Sequence, residues 1–201
     1  MKANLANTLT WIRIAAIPVV AYCFLSTFQY SRPIAFVVFA VAAITDLLDG
    51  YVARRLGQTS KFGEFLDPVA DKLMVAVVLV LLVQGDPRVV VALTAAVIIG
   101  REITVSGLRE WMASIGERAH VAVSAGGKVK TTLQMVGIAL MVYQQPAFGI
   151  NIYDVGFLFL LIAAGMTLWS MIVYLRAAWP SMTSKPNQSR SQPPGSGEKL
   201  P

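Results

Sequence analysis

Charge is scarce in this sequence. Only 14% of its 201 residues are Asp, Glu, Lys or Arg, against about 25% in an ordinary soluble domain. That shortage argues against a water-soluble globule. With 56% hydrophobic residues and several apolar runs of roughly 20 residues, the composition is that of a polytopic membrane protein. The one cysteine, Cys23, lies within the first apolar run, so no intrachain disulfide can form and no redox compartment can be read. The one histidine, His120, sits in a loop stretch with no apparent partner and reads as solvated, not catalytic. A cleavable signal peptide is not evident either. Residues 1–10 are polar, and the apolar run that follows continues past any small-residue cleavage site. The net charge of +6 would suit nucleic acid, but the positive residues cluster by loop. Membrane topology and anionic lipid headgroups account for them, so membrane lipids are expected partners and nucleic acid is not.

Six apolar segments can be drawn, at about 9–28, 33–53, 67–84, 89–111, 127–145 and 152–179. The expected fold is all-α, a polytopic membrane protein with six transmembrane helices. A short cytoplasmic lead-in (1–8) precedes the membrane domain (9–180). A tail rich in Ser, Pro, Gln and Gly (181–201) is expected to be disordered. Pro18 is expected to kink the first helix, and Pro68 to sit in the first turn of the third, with Asp67 available as its cap. If the segments alternate, every Lys and Arg except Arg32 and Arg88 falls on one side. The positive-inside rule makes that side cytoplasmic, together with both termini. Trp11, Trp111 and Trp179 lie near segment ends on that side, as an aromatic belt would. Met135, Met141, Met166 and Met171 read as packing residues.

Four carboxylates interrupt this apolar chain. Asp46 and Asp49 are i,i+3, Asp67 and Asp71 are i,i+4, and each pair shares a helix face. One Asp at the centre of a membrane helix costs roughly 2.5–3.5 kcal/mol. Four without compensation would cost on the order of 10 kcal/mol, less near the interface. Divalent cations would answer that cost. Helix capping, or pairing with Arg54, Arg55, Lys61 and Lys72, explains one carboxylate better than it explains four at this spacing. With no His or Cys nearby, the oxygen ligands favour Mg²⁺ or Mn²⁺ over zinc, in a two-metal site of the kind that neutralises a diphosphate. Gly50 and Gly63 let a ligand approach the backbone closely, and Arg54 can meet a phosphate oxygen.

In full the pattern is Asp46-x-x-Asp49-Gly50-x-x-Ala53-Arg54, then Gly63-x-x-x-Asp67-x-x-x-Asp71. It resembles, at every position and spacing, the signature of the CDP-alcohol phosphotransferases, integral membrane enzymes of phospholipid synthesis. The resemblance implies a six-helix membrane fold, a divalent metal site at the cytoplasmic boundary and a CDP-linked donor that releases CMP. It implies that Asp46, Asp49 and Asp67 ligate metal. Asp71 would be the general base toward the acceptor alcohol and a further ligand. Gly50, Ala53, Arg54 and Gly63 would lie against the nucleotide of CDP-diacylglycerol, helped by Asn7, Thr10 and Arg13. A homodimer in the bacterial inner membrane is expected on the same basis.

A second constellation bears on the acceptor. Arg101 and Arg109, eight residues apart, lie about 80° apart around a helix and can face one cavity. Lys128 shares a face with Thr131 and Thr132, while Lys130 points to a different side. Arg109 and Lys128, with Arg101 and Lys130, would suit an acceptor that carries its own phosphate. Each of the four could instead simply obey the positive-inside rule and pair with Glu102, Glu110 or lipid phosphate. These segments, FLDPVADK, and Asn7 to Arg13 (preceded by Ala6, where Pro is frequent) resemble the phosphatidylglycerophosphate synthase branch, whose acceptor is glycerol 3-phosphate. Alternatives are inositol phosphate or phosphatidylglycerol as acceptor. Outside the family the rivals are a membrane prenyltransferase, whose Asp-rich motifs are differently spaced, and a divalent-cation transporter, which would distribute its acids along a crossing path.

Overall fold

A chain that removes its peptide groups from water must satisfy them internally, and an apolar run does so as a helix. The computed structural model describes residues 5–56, 61–115, 126–146 and 149–183. It contains six helices: α1 (Leu5–Leu25), α2 (Ser31–Leu56), α3 (Lys61–Gly85), α4 (Val89–Ser114), α5 (Gly126–Tyr143) and α6 (Ile152–Thr183). The all-α architecture is as the apolar segments foretold. Among the described residues three stretches are long and apolar enough to cross a membrane, Pro68–Gly85, Val89–Ser114 and Ile152–Arg176. Within the described residues of the other three helices the apolar stretches are Thr10–Leu25, Ser31–Thr45 and Val129–Tyr143.

One boundary departs from the sequence reading. α3 opens at Lys61, so Asp67 is not its cap and Pro68 lies inside the helix instead of in its first turn. Pro68 is the eighth residue of the helix, beyond the first turn, so the carbonyl four residues back, at Glu64, loses its usual partner, a gap that membrane helices tolerate. The polar run read as a link therefore joins the helix. α1 likewise continues through Pro18.

The surface is apolar, the reverse of a soluble protein's. Val80 and Leu93 are each 61% exposed and Trp169 is 71% exposed, as expected where lipid is the solvent. Inside, Val20, Phe39, Leu79, Ile98, Ile138, Met141 and Leu160 are fully buried. Met141 thus packs as anticipated.

Contacts at the helix ends fix an alternating order. Arg32, early in α2, lies 3.6 Å over the Phe24 ring at the end of α1, and Phe24 also packs beside Gly85 at the end of α3. Phe36 of α2 meets Tyr143 at the end of α5, edge to face. Tyr153 at the start of α6 donates a 2.6 Å hydrogen bond to Asp86, in the α3–α4 turn. Arg88 grips the same carboxylate with Nε at 2.8 Å and Nη2 at 2.7 Å. The opposite end gathers the end of α2 and start of α3, the end of α4 and the start of α5.

α5 and α6 approach until their backbones touch. A Cβ on Gly137 would come within 2.8 Å of the Gly156 carbonyl, and one on Gly156 within 2.7 Å of the Gly137 carbonyl. Without a hydrophobic drive between helices in lipid, such small-residue contacts carry association. Gly156→Leu should therefore lower the melting midpoint of the purified protein by about 5 °C or more. Gly165→Leu, where a Cβ meets nothing within 4 Å, should change it little.

At the opposite face of the α3–α4 turn, the Arg88 hydrogen bonds lower the Asp86 carboxyl to about 2, against a smaller opposing effect of burial and with help from the Tyr153 hydroxyl. A depressed carboxylate stabilises the fold above its unfolded value of about 4 and loses that contribution as pH falls further. The melting-midpoint difference between wild type and Asp86→Asn should be full at pH 5 and shrink as pH falls from about 4 towards 2.

Candidate active site

The acidic motif falls where α2 ends and α3 begins. Positions 46, 49, 50, 53 and 54 lie in the last turns of α2, and 63, 67 and 71 in the first turns of α3. Because both segments are helical, the i,i+3 and i,i+4 spacings do place each aspartate pair on one helix face. The side chains of Asp46, Asp49, Arg54 and Asp67 lie outside the described residues, as do those of Asn7 and Lys128. Among the described residues no three His, Cys, Asp or Glu side chains converge. Asp71 is half-buried, between fully buried Ala70 and Met74.

α1 supplies polar groups to the same end. Thr10 is fully buried and Arg13 is 2% exposed, unusual for a guanidinium. Arg13 and Thr45 line one cavity between α1 and α2, and Thr45 immediately precedes Asp46. The structure thus brings Arg13 to the threshold of the acidic motif, with Thr10 buried one turn earlier on α1.

The basic constellation is assembled by α4, α5 and α6. Lys130 is 5% exposed and donates to Ser170 Oγ at 2.7 Å. It lies within electrostatic reach of Arg101, Glu102 and Arg109. Arg101 pairs with Glu102, while its Nε is buried with no hydrogen bond among the described residues. Arg109 stands 5.9 Å over the Tyr174 ring. Three cations against one adjoining carboxylate leave a positive surplus in an apolar surrounding, a setting for an anion.

Sequence reasoning paired Arg109 with Lys128 and set Lys130 on another side. The structure shows that Lys130 reaches the arginines. Two contributors, Ser170 and Tyr174, were missed. They lie at i,i+4 on α6, and with buried Thr167 they form a polar stripe in the otherwise apolar middle of the helix. That stripe was the available signal.

Both constellations lie at one end of the bundle, as a reaction joining a charged donor to a charged acceptor requires. The chain matches the sequence profile of the CDP-alcohol phosphatidyltransferase family over residues 3–175. It is 51% identical over 180 residues to a CDP-diacylglycerol–glycerol-3-phosphate 3-phosphatidyltransferase of Pseudomonas fluorescens, covering 89% of this chain and 92% of that protein. Proteins of the same name from Yersinia enterocolitica (45% identical, covering 90% and 98%) and Salmonella choleraesuis (44%, covering 89% and 96%) are similar over comparable lengths. The match includes the acidic motif, the basic constellation and most of α6. The chain belongs to the CDP-alcohol phosphatidyltransferase family, a family of membrane proteins.

Proposed function

We propose that this protein transfers the phosphatidyl group from CDP-diacylglycerol to glycerol 3-phosphate, giving phosphatidylglycerophosphate and CMP. The observation that carries this reading is the identity of 44–51% to proteins named for that activity over about nine-tenths of the chain. The cationic cluster around buried Lys130 supports an acceptor with a phosphate of its own.

Asp46, Asp49, Asp67 and Asp71 would hold Mg²⁺ or Mn²⁺, since an all-carboxylate donor set without His or Cys suits a hard cation. Bound there, such ions would offset the charge on the diphosphate as its ester bond breaks. The chain's own residues supply the rest. Thr10 and Arg13, with Asn7, Gly50, Ala53, Arg54 and Gly63, hold the nucleotide end of the donor. Arg101, Arg109 and Lys130, with Lys128, bind the acceptor's phosphate and present its hydroxyl. Asp71 takes the hydroxyl proton as the oxygen bonds to the lipid-linked phosphorus and CMP leaves.

The alternating helix order supports six crossings of the bacterial inner membrane, with both termini and the acidic motif on the cytoplasmic side. A homodimer remains the expected assembly.

The assay is CMP release by purified enzyme from CDP-diacylglycerol with single acceptors. Glycerol 3-phosphate should be turned over fastest; equal turnover with inositol phosphate, phosphatidylglycerol or serine would reject the acceptor assignment. Lys130→Met should raise the glycerol 3-phosphate KM about tenfold or more, the loss of one charge-assisted contact, with the donor KM little changed. Asp71→Asn should abolish turnover while nucleotide binding persists. Loss of both would mean that the residue acts chiefly in binding.

A further inference from the structure

One carboxylate, Glu102, stands among the cations of α4 and α5, and its placement is unusual for a helix. Arg101 and Glu102 are neighbours in sequence, and side chains one residue apart on a helix do not face each other. Yet Arg101 Nη1 donates to Glu102 Oε1, and the two side chains are only 11% and 27% exposed. Ile103, the next residue, is 68% exposed. Glu102 is thus turned inward, where it also lies within electrostatic reach of buried Lys130.

That position leaves Glu102 with capacity to spare. A carboxylate accepts at both oxygens, through roughly four lone pairs, and among the described residues only Oε1 receives a hydrogen bond. Glu102 does not cancel the cluster either. Against Arg101, Arg109 and Lys130 it leaves two positive charges, a match for a phosphate monoester of about −1.5 to −2 at neutral pH. Arg101 Nε, buried and without a hydrogen bond among the described residues, offers that phosphate a donor.

Glycerol 3-phosphate carries its phosphate on carbon 3 and its attacking hydroxyl on carbon 1. The 2-hydroxyl lies between them, next to the carbon that bears the phosphate. A group that reads it must adjoin the phosphate site, and must accept, because the hydroxyl brings the proton. A buried acceptor of this kind rejects an analogue without the hydroxyl, since the acceptor is then left unpaired.

We propose that Glu102 accepts a hydrogen bond from the 2-hydroxyl of the acceptor and so sets specificity among phosphate-bearing alcohols. Its bond to Arg101 fixes the carboxylate beside the phosphate, while Asp71 of α3 serves the 1-hydroxyl. The proposal rests on the reading of glycerol 3-phosphate as acceptor.

The test measures kcat/KM of the full-length enzyme, in micelles containing CDP-diacylglycerol, for glycerol 3-phosphate and for 3-hydroxypropyl phosphate. The second acceptor keeps the phosphate and the terminal hydroxyl and lacks the 2-hydroxyl. Wild type should prefer glycerol 3-phosphate by about tenfold or more, the loss of one hydrogen bond to a charged group. Glu102→Ala should abolish that preference. Glu102→Gln keeps an oxygen for Arg101 and replaces the other by an amide N–H. It should lower the preference in the same direction, and it carries the test if the alanine variant does not fold. Glu110→Ala, at an exposed position of the same helix, should leave the preference unchanged. Equal losses with both acceptors in the Glu102 variants would mean that the residue acts only through Arg101, and would overturn the proposal. A wild type that turns over both acceptors alike would overturn it too. Competition by inorganic phosphate gives a separate readout, and its Ki should not weaken in Glu102→Ala. A weakened Ki would show that Glu102 orders the phosphate site instead of reading the hydroxyl. Failure of wild type to turn over glycerol 3-phosphate would instead reject the underlying function.

Discussion

Charge in an apolar surrounding must be compensated, and the two ends of this bundle meet that demand differently. At the end that carries the α3–α4 turn the demand is closed within the protein. Asp86 receives Arg88 and Tyr153 together, and the guanidinium of Arg88 lies over the Tyr153 and Phe157 rings at 5.8 and 5.1 Å. At the end that carries the acidic motif, four aspartates and three of the cations are held on different helices. Asp46, Asp49, Asp67 and Asp71 belong to α2 and α3, and Arg101, Arg109 and Lys130 to α4 and α5. A paired cluster serves the fold, whereas separated clusters of opposite sign leave capacity for ligands of opposite sign. Such a division fits a nucleotide diphosphate approached by a second phosphorylated molecule.

Helix packing makes the second cluster possible. The Gly137–Gly156 contact lets α5 and α6 run with touching backbones, so a lysine two turns before Gly137 can be buried against α6 and meet Ser170. Side chains at those glycines would separate the helices and put the lysine's partner out of reach. The geometry of a proposed acceptor site thus depends on two residues far from it that have no chemistry of their own. Small residues act similarly at Ala16 and Ala42, where they leave room between α1 and α2.

Much of this was legible in the sequence because membrane helices announce themselves by composition and the acidic motif by spacing. The six helices appear where apolar runs were drawn, and Thr10 and Arg13 are buried at the end that carries the motif. What was not legible is what composition does not encode. The start of α3 was misplaced because Asp67-Pro68 looks like a helix opening, although a proline is tolerated inside a membrane helix that has already begun. The rotation of α5 was also hidden. Periodicity says that Lys128 and Lys130 face different ways, but only packing against α4 and α6 determines which way Lys130 faces. Ser170 and Tyr174 were overlooked because one hydroxyl and one aromatic in a strongly apolar helix resemble ordinary membrane residues.

The compensation of four aspartates by bound cations is the claim on which the chemistry rests. Electron paramagnetic resonance of Mn²⁺ titrated into purified enzyme addresses it without reference to turnover. Wild type should take up about two ions per chain, displaced by Mg²⁺. A variant with Asn at positions 46, 49, 67 and 71 should take up none in the same range. Equal uptake by that variant would mean that the ions sit elsewhere and that the acidic motif has another purpose.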